Sequence, residues 1–485
     1  MDSVNRQRAD VILVGAGLSG AAFAAHLMRD HPDLRARLAI IEPAARLGAG
    51  LAYGTTDPVH RTNVSASRMS LFPDLPDHCA DWLADRDEAA RDPAAATPDG
   101  RLHVRRAVYG DYVEQTLRAQ IAGSRLDVRH LRDRAVSGRR GPDGGWEIEL
   151  DDGERLQAPI LVLGVSHTKP DLPGVLAPLR RDTRMIVDPW DTASLARIDP
   201  RDTVLVVGTG LTGCDTIASL RNRGHRGQVL AVSRRGLLPR PRTTQPVAAA
   251  GEFATAPSVT ALELLLRVRA AMTGEIAAGR PWENVIDAIR GQARTIWGSL
   301  PIPERRRVLR HLRPFWDVHR FQCAPQIEAV LLDGSEAGWL TVMAATIEAA
   351  TAGPGGIEVR LRQAHGRGTR TVTVGAIVNC TGPGHRSVVA SHPLLHALAE
   401  EGALRADPCR LGIDVTTASQ VIAADGHAWP DLFVVGPLAR GTHGELMGLP
   451  QVTLQPREVA DAVAGLLEPP LQLDAATPAG HLSGR

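Results

Sequence analysis

Two stretches of the chain share a spacing that binds phosphates. Asp10-Val-Ile-Leu-Val-Gly15-Ala-Gly17-Leu-Ser-Gly20 and Thr203-Val-Leu-Val-Val-Gly208-Thr-Gly210-Leu-Thr-Gly213 each run an apolar strand into G-x-G-x-x-G and then into a helical pattern. The first glycine of such a turn permits the tight bend. The second lets a pyrophosphate approach the backbone, and the third lets the helix pack on the strand. The helix then presents free N–H groups and its positive dipole end to the phosphates. Gly15, Ala16, Gly17, Leu18, Ser19 and Gly20 are therefore expected to hold one nucleotide, and Gly208, Thr209, Gly210, Leu211, Thr212 and Gly213 another.

The strands that follow end differently. Leu38-Ala-Ile-Ile-Glu42, with Pro43 next, puts a carboxylate where an adenosine ribose needs an acceptor. A second glycine loop, Arg46-Leu-Gly-Ala-Gly50-Leu-Ala-Tyr-Gly54, comes directly after it; this arrangement resembles that of flavoproteins whose FAD lies extended across the domain, and the resemblance favours FAD. The run at 229–232 ends instead in Ser233-Arg234-Arg235. Arginines there pair bidentately with a 2′-phosphate that an acid would repel, so NADPH is preferred over NADH. A solvated basic turn is the other reading of Arg234 and Arg235.

Bulk properties exclude several classes. The net charge of +1 sets up no global field for nucleic acid or an anionic membrane. Aromatics, at 4%, are too scarce for a base-stacking surface. The five cysteines (Cys79, Cys214, Cys323, Cys380, Cys409) include no C-x-x-C, which argues against a disulfide framework, a zinc site and a disulfide reductase alike. His392 and His396 have H-x-x-x-H spacing, but Pro393 stands where a metalloprotease has its Glu, so no metal site is expected. A polar start without an apolar h-region, reduced thiols and no apolar run near the ~18 residues of a membrane helix predict a cytoplasmic protein.

The elements that must position these turns are legible as apolar runs at 11–14, 38–41, 160–163, 204–207, 229–232, 377–378 and 432–435, which fit parallel strands covered by helices. Weak alternation at 146–150, 357–362 and 371–374 predicts antiparallel meanders. Residues 258–328, rich in Ala, Leu, Arg and Glu, predict a helical insertion. The Ala/Pro/Asp-rich stretches 85–100 and 469–485 predict a loose loop and a disordered tail. The fold class is α/β, with two Rossmann-like dinucleotide-binding domains.

With those residues in view, the chain resembles the two-dinucleotide-domain flavoproteins, which include flavin-containing and N-hydroxylating monooxygenases. More closely it resembles a bacterial family of FAD–NAD(P)-binding proteins. The matching stretches are Gly50-Leu-Ala-Tyr-Gly-Thr-Thr-Asp-Pro-Val-His60, Asn63-Val-Ser-Ala-Ser-Arg68-Met69, Asp188-Pro-Trp190-Asp, Gly208-Thr-Gly-Leu-Thr, Ser233-Arg-Arg-Gly, Phe315-Trp-Asp-Val-His319-Arg320 and Asn379-Cys-Thr-Gly-Pro383. The resemblance implies a discontinuous FAD domain, 1–175 plus 376–468, with the NAD(P) domain inserted at 176–375. Crossings are implied at Leu163-Gly164 and at Thr381-Gly382, and a last flavin contact at Gly436-Pro437.

Departures stand out in three places. Gly213 and Cys214 occupy positions where relatives carry bulky apolar residues, and Thr-His443-Gly-Glu445-Leu-Met-Gly-Leu-Pro replaces a Trp-containing segment. Of the hydroxylase motif F-x-G-x-x-x-H-x-x-x-W, only Asp188-Pro-Trp190 sits at the general location. Pro456 is expected to restart the final helix at its first turn.

The implied activity is that of an FAD-dependent, NADPH-using oxidoreductase. NADPH would deliver hydride to the flavin, and a flavin C4a-hydroperoxide would hydroxylate nitrogen or sulfur of a small metabolite in a water-poor site. The partners are then a small-molecule substrate and molecular oxygen. A flavin dehydrogenase or oxidase without oxygen insertion stays open, as does a non-catalytic nucleotide-binding or sensory protein. Asn63 is expected either to bond the flavin edge or to form a turn, and Met69 either to pack on the ring or to fill core. His319 and Arg320 would orient substrate or satisfy last-turn carbonyls. His443 and Glu445, in a glycine-rich loop, are the candidate proton donor and substrate anchor.

Overall fold

The structure, a computed structural model, describes residues 6–165, 170–384 and 387–468; the tail expected at 469–485 lies outside them. Val11–Val14 sits near the middle of a six-stranded sheet with the order Gln420–Ile422, Ala428–Val434, Ile160–Leu163, Val11–Val14, Arg37–Ile41, Asp127–Leu131. All neighbours run parallel except Gln420–Ile422, which pairs antiparallel with Ala428–Val434. Successive side chains point to opposite faces, so Val11 and Leu13 join one core cluster while Ile12 and Val14 join another. The first face is covered by helices, including Leu18–Asp30, Arg106–Gly123 and Gln451–Leu467. The second face is not covered by helices alone, as the apolar runs led one to expect. Trp146, Ile148 and Leu150 of a four-stranded sheet pack there, beside the helix Pro393–Glu400.

The second sheet has the order Thr369–Val374, Gly356–Gln363, Leu340–Gly353, Val229–Ser233, Val204–Val207, Ala376–Asn379, Met185–Ile186. Leu340–Gly353 changes role along its length. Its start, Leu340 to Ala344, pairs parallel with Val229–Ser233, and its remainder pairs antiparallel with Gly356–Gln363. Ala376–Asn379 bonds within this sheet, between Val204–Val207 and Met185–Ile186, although a division at 376 assigned it to the first domain. A short strand buried on both faces carries no mark of the sheet it joins.

Three further expectations are corrected. Residues 85–100 are not loose: they form the short helices Glu88–Arg91 and Pro93–Ala95, and buried Asp92 accepts from both ends of the Arg61 fork at 2.9 and 3.1 Å. The final helix starts at Gln451 and runs through Pro456, since a proline in the second turn removes only one early hydrogen bond. The insertion comprises Ala261–Ala277, Glu283–Gly291, Ala293–Ser299, Ile302–Arg307, a π turn at Val308–Leu312 and Arg313–Arg320. The next helix, Pro325–Glu336, begins inside 258–328 but packs Ile327 and Leu331 against Ile217 and Leu220 of the second domain.

Candidate functional site

At the first turn Gly15 has φ +88°, and a Cβ there would sit 2.6 Å from Gly164 O. A Cβ on Gly20 would sit 2.1 Å from Gly15 O, so the helix can approach the turn only without one. Gly50 faces Gly17, and its Cβ would lie 3.1 Å from Gly17 Cα; Gly48 N donates to Ala16 O at 2.7 Å. From the other side Gly436 leans on the helix, where a Cβ would meet Ser19 Oγ at 2.5 Å. Gly15, Ala16, Gly17, Leu18, Ser19, Gly20, Gly50, Gly436 and Pro437 thus converge on the N-terminus of Leu18–Asp30. Among the described residues no side chain caps that helix, which leaves its leading N–H groups for a phosphate. The Glu42 carboxylate accepts from Ala16 N and Ala44 N, both at 3.0 Å. Each oxygen has a second lone pair, so Glu42 retains capacity for a ribose hydroxyl, with Pro43 exposed beside it.

The second turn repeats this construction. Gly208 has φ +110° with a Cβ position 2.1 Å from Cys380 O, and a Cβ on Gly213 would sit 2.2 Å from Gly208 O. Open space surrounds Gly210, as a pyrophosphate requires, and Leu211 and Thr212 open the helix Leu211–Asn222. Thr209 Oγ1 donates to Leu237 O at 2.5 Å and lies 2.8 Å from Ser233 Oγ, which ties the turn to the loop after the second strand. Arg234 and Arg235 are exposed there. Arg235 stacks 4.8 Å over the Phe315 ring, and Arg234 meets no acid among the described residues. Thr381 and Gly382 border this second turn rather than the first, because the strand before them lies in the second sheet; Thr381 Oγ1 donates to Asp171 O at 2.9 Å.

The other candidates divide between chemistry and scaffold. Arg320 and Glu445 come together as a buried pair, with side chains 4% and 5% exposed, Nε and Nη2 donating to Oε1 at 2.9 and 2.6 Å. His319 Nδ1 donates to Phe315 O at 2.7 Å and its ring meets Trp282 edge-on, which is a helix-end role. Met69 lies in the core with Phe72 and Tyr109. Asn63 Nδ2 donates to Gln322 O at 3.2 Å, and its carbonyl accepts from Arg242, so it joins the first domain to the insertion. His443 is buried with Nε2 3.0 Å from Ser419 Oγ. Gln455 Nε2 donates to that same hydroxyl, and its Oε1 accepts from Gly436 N at 2.9 Å. Burial pushes the His443 pKa down to about 4. It is therefore neutral near pH 7, and the Gly436 turn rather than proton donation is what it serves.

Two groups of residues escaped the sequence reading. One joins the domains: Arg106 Nη2 lies 2.7 Å from Asp215 Oδ2 without hydrogen-bond alignment, a contact of charge on charge. Beside it His60 Nε2 is 3.1 Å from Ser219 Oγ, and Arg223 Nη2 donates to Asp57 Oδ2 at 3.2 Å. The other lies where the insertion meets the first domain: Arg68, Arg242 and Arg290 gather at Asp287 of the insertion, and Arg440 lies in the loop after Gly436, near Asp317, Asp407 and Glu445. The insertion caps the loop after Gly436: Trp297 Nε1 donates to Gly441 O at 2.7 Å and Arg290 Nη2 to Leu449 O at 2.6 Å. Neither group has a spacing signal, since its members are scattered along the chain. Among the described residues no helix is long and apolar enough to cross a membrane.

Residues 12–168 match the family model for FAD-NAD(P)-binding, so the first turn belongs to an FAD-NAD(P)-binding domain. No curated protein matches the chain. Among solved structures, the chain is similar to the reduced form of ornithine hydroxylase from Pseudomonas aeruginosa, at 16% identity over 95% of this chain and 100% of that one, with a TM-score of 0.66. It is also similar to L-lysine 6-monooxygenase from Pseudomonas syringae, at 18% identity over 95% and 99% of the two chains, TM-score 0.62. A third is an ornithine N-hydroxylase from a Kutzneria species with reduced FAD, NADP+ and L-ornithine, at 15% identity over 95% and 100%, TM-score 0.61. At these identities the likeness establishes the fold: that of two-dinucleotide-domain flavoproteins.

Proposed function

We propose that this chain is an FAD-dependent, NADPH-using monooxygenase that hydroxylates nitrogen or sulfur of a small metabolite with molecular oxygen as co-substrate. The observation that carries the reading is the duplicated glycine turn, backed by Glu42 in one copy and by Arg234 and Arg235 in the other. Gly15 to Gly20, Gly50, Gly436 and Pro437 would hold the FAD pyrophosphate, with Glu42 on the ribose. Gly208 to Gly213 and Ser233 would hold NADPH, with the arginines on its 2′-phosphate. When bound, the flavin supplies hydride acceptance and oxygen activation, so the protein needs few ionisable groups of its own.

What the chain supplies is position and cover. Helices of the insertion reach the 440–450 loop through Trp297, Arg290 and Arg320, a cover that would keep water from the reacting atoms. The buried Arg320–Glu445 pair, in which two guanidinium nitrogens donate to one carboxylate oxygen, ties the 440–450 loop to the insertion and would fix it where it faces the substrate.

The test uses FAD-loaded protein, anaerobic addition of NADPH or NADH, then admission of oxygen with primary amines and thioethers. The expected result is bleaching of the flavin absorption by NADPH and a hydroxylated product formed in step with oxygen uptake. Oxygen recovered wholly as hydrogen peroxide with every substrate points to an oxidase; bleaching by neither nucleotide leaves only the nucleotide-binding reading. Arg234→Ala should raise KM for NADPH roughly 10-fold or more, the loss of a charge-assisted hydrogen bond, and leave KM for NADH alone. Equal effects on both nucleotides would remove the phosphate role.

A further inference from the structure

Under the insertion, guanidinium groups outnumber the carboxylates free to meet them. Glu445 gives Oε1 to Arg320. Asp287 is shared by Arg290 at 2.9 Å and Arg68 at 2.7 Å, and the other terminal nitrogen of Arg290 goes to Leu449 O. Arg440 is then left over. It is 5% exposed, its Nε and Nη2 are buried with no partner among the described residues, and its Nη1 faces Met447 Sδ at 3.0 Å.

The charges that reach Arg440 are those of Arg313, Asp317, Asp407 and Glu445; each acid has at least one oxygen engaged elsewhere, and none is hydrogen-bonded to Arg440 among the described residues. Asp407 accepts from the backbone nitrogens of Cys409, Leu411 and Gly412, Asp317 accepts from Arg313 at 3.3 Å, and Glu445 is held by Arg320. Nε of Arg242 and of Arg290 are buried without partners among the described residues as well. Burial lowers the Arg440 pKa to about 9, so the side chain is still a cation near neutral pH. A desolvated, unpaired cation is strongly unfavourable, and an incoming anion relieves it.

The location is informative too. Arg440 opens the short helix Arg440–His443, four residues beyond the Gly436 that packs on Ser19, and the next residue, Gly441, is capped by Trp297 of the insertion. It therefore stands between the flavin-side turn and the cover. A flat oxyanion can accept two parallel N–H bonds from the free Nε and Nη2 edge of a guanidinium. We infer that Arg440 anchors an oxyanion subsite and that the substrate bears a carboxylate or a phosphate group that sits on it. Its assignment to substrate rests on the monooxygenase reading; the subsite itself does not.

The experiment titrates FAD-loaded protein at low ionic strength with L-glutamate, with inorganic phosphate and with 1,4-diaminobutane, followed by calorimetry and by the flavin absorption spectrum. The expected result is binding of at least one anion with a spectral change, and none of the diamine at the same concentration. Glutamate alone identifies a carboxylate; phosphate alone identifies a phosphate ester. Arg440→Met should weaken the anion at least ~10-fold, the loss of a charge-assisted pair, with Arg440→Lys between it and the wild type. Flavin content and thermal midpoint report whether the Met variant folds; if it does not, the Lys variant and the wild-type probe panel decide. No anion binding to the wild type, or anion binding unchanged in a folded Arg440→Met, overturns the inference. Bleaching by NADPH without anion binding would remove the subsite and keep the redox reading, and the reverse outcome would do the opposite.

Discussion

His443 and His103 are imidazoles that the fold keeps neutral. His103 Nδ1 donates to Thr62 O at 2.9 Å, and burial pushes its pKa to about 4, as it does for His443. In the unfolded chain both titrate near ~6.5, so between that pH and about 4 the unfolded state binds protons that the folded state refuses. Their contribution is fully present above ~6.5 and is lost as pH falls toward 4. Each is expected to cost about 2 kcal/mol between pH 7.5 and pH 5. Denaturant unfolding of the FAD-loaded protein at those two pH values checks this. His443→Asn, which keeps a polar partner for Ser419, should remove its share of the loss; an unchanged loss would show that other groups carry it. At this scale the sequence marked Arg320 and Glu445 singly, as polar residues at a helix end and in a glycine loop. Nothing in it paired them, because ion pairing across 125 residues leaves no local pattern.

The strand–turn–helix unit was the most legible element, because its glycines are fixed by steric contact rather than by distant packing. Val11–Val14, Ile160–Leu163 and Val204–Val207 lie where the apolar runs placed them. The face partner of the first sheet was not legible: Trp146–Leu150 reads as a small meander, and periodicity does not say that it covers a nucleotide-binding sheet. The same locality makes the two turns separable by mutation. A Cβ at Gly20 would sit 2.1 Å from Gly15 O and one at Gly213 2.2 Å from Gly208 O, both backbone atoms that can yield only by moving the turn. Gly20→Ala should abolish FAD retention on purification. Gly213→Ala should leave flavin content near wild type and weaken NADPH by at least ~10-fold, as expected when a phosphate turn is displaced. Loss of flavin from both variants would mean that the second turn also supports the first site.

Under the proposed function hydride would pass between the two domains, so their relative facing matters, and three polar contacts at their seam help to set it. Asp57 and His60 come from the glycine-loop segment of the first domain, and Arg106 opens the helix Arg106–Gly123; their partners Arg223, Ser219 and Asp215 all belong to Leu211–Asn222 or its cap. That helix starts at the second nucleotide turn, so a rotation about the seam moves the nicotinamide relative to the flavin. Burial leaves Arg106 and Asp215 dependent on each other, and truncating one strands the other in a dry contact. Asp215→Ala should destabilise the protein by about 3 kcal/mol. At saturating NADPH it should also slow flavin reduction without lowering flavin content. The double variant Arg106→Met/Asp215→Leu, which removes both charges, should recover most of the stability but not the reduction rate, because apolar packing restores burial without setting the angle between domains. Stopped-flow reduction of the three proteins decides it. A wild-type rate in Asp215→Ala would assign the seam to stability alone and leave domain orientation to the insertion.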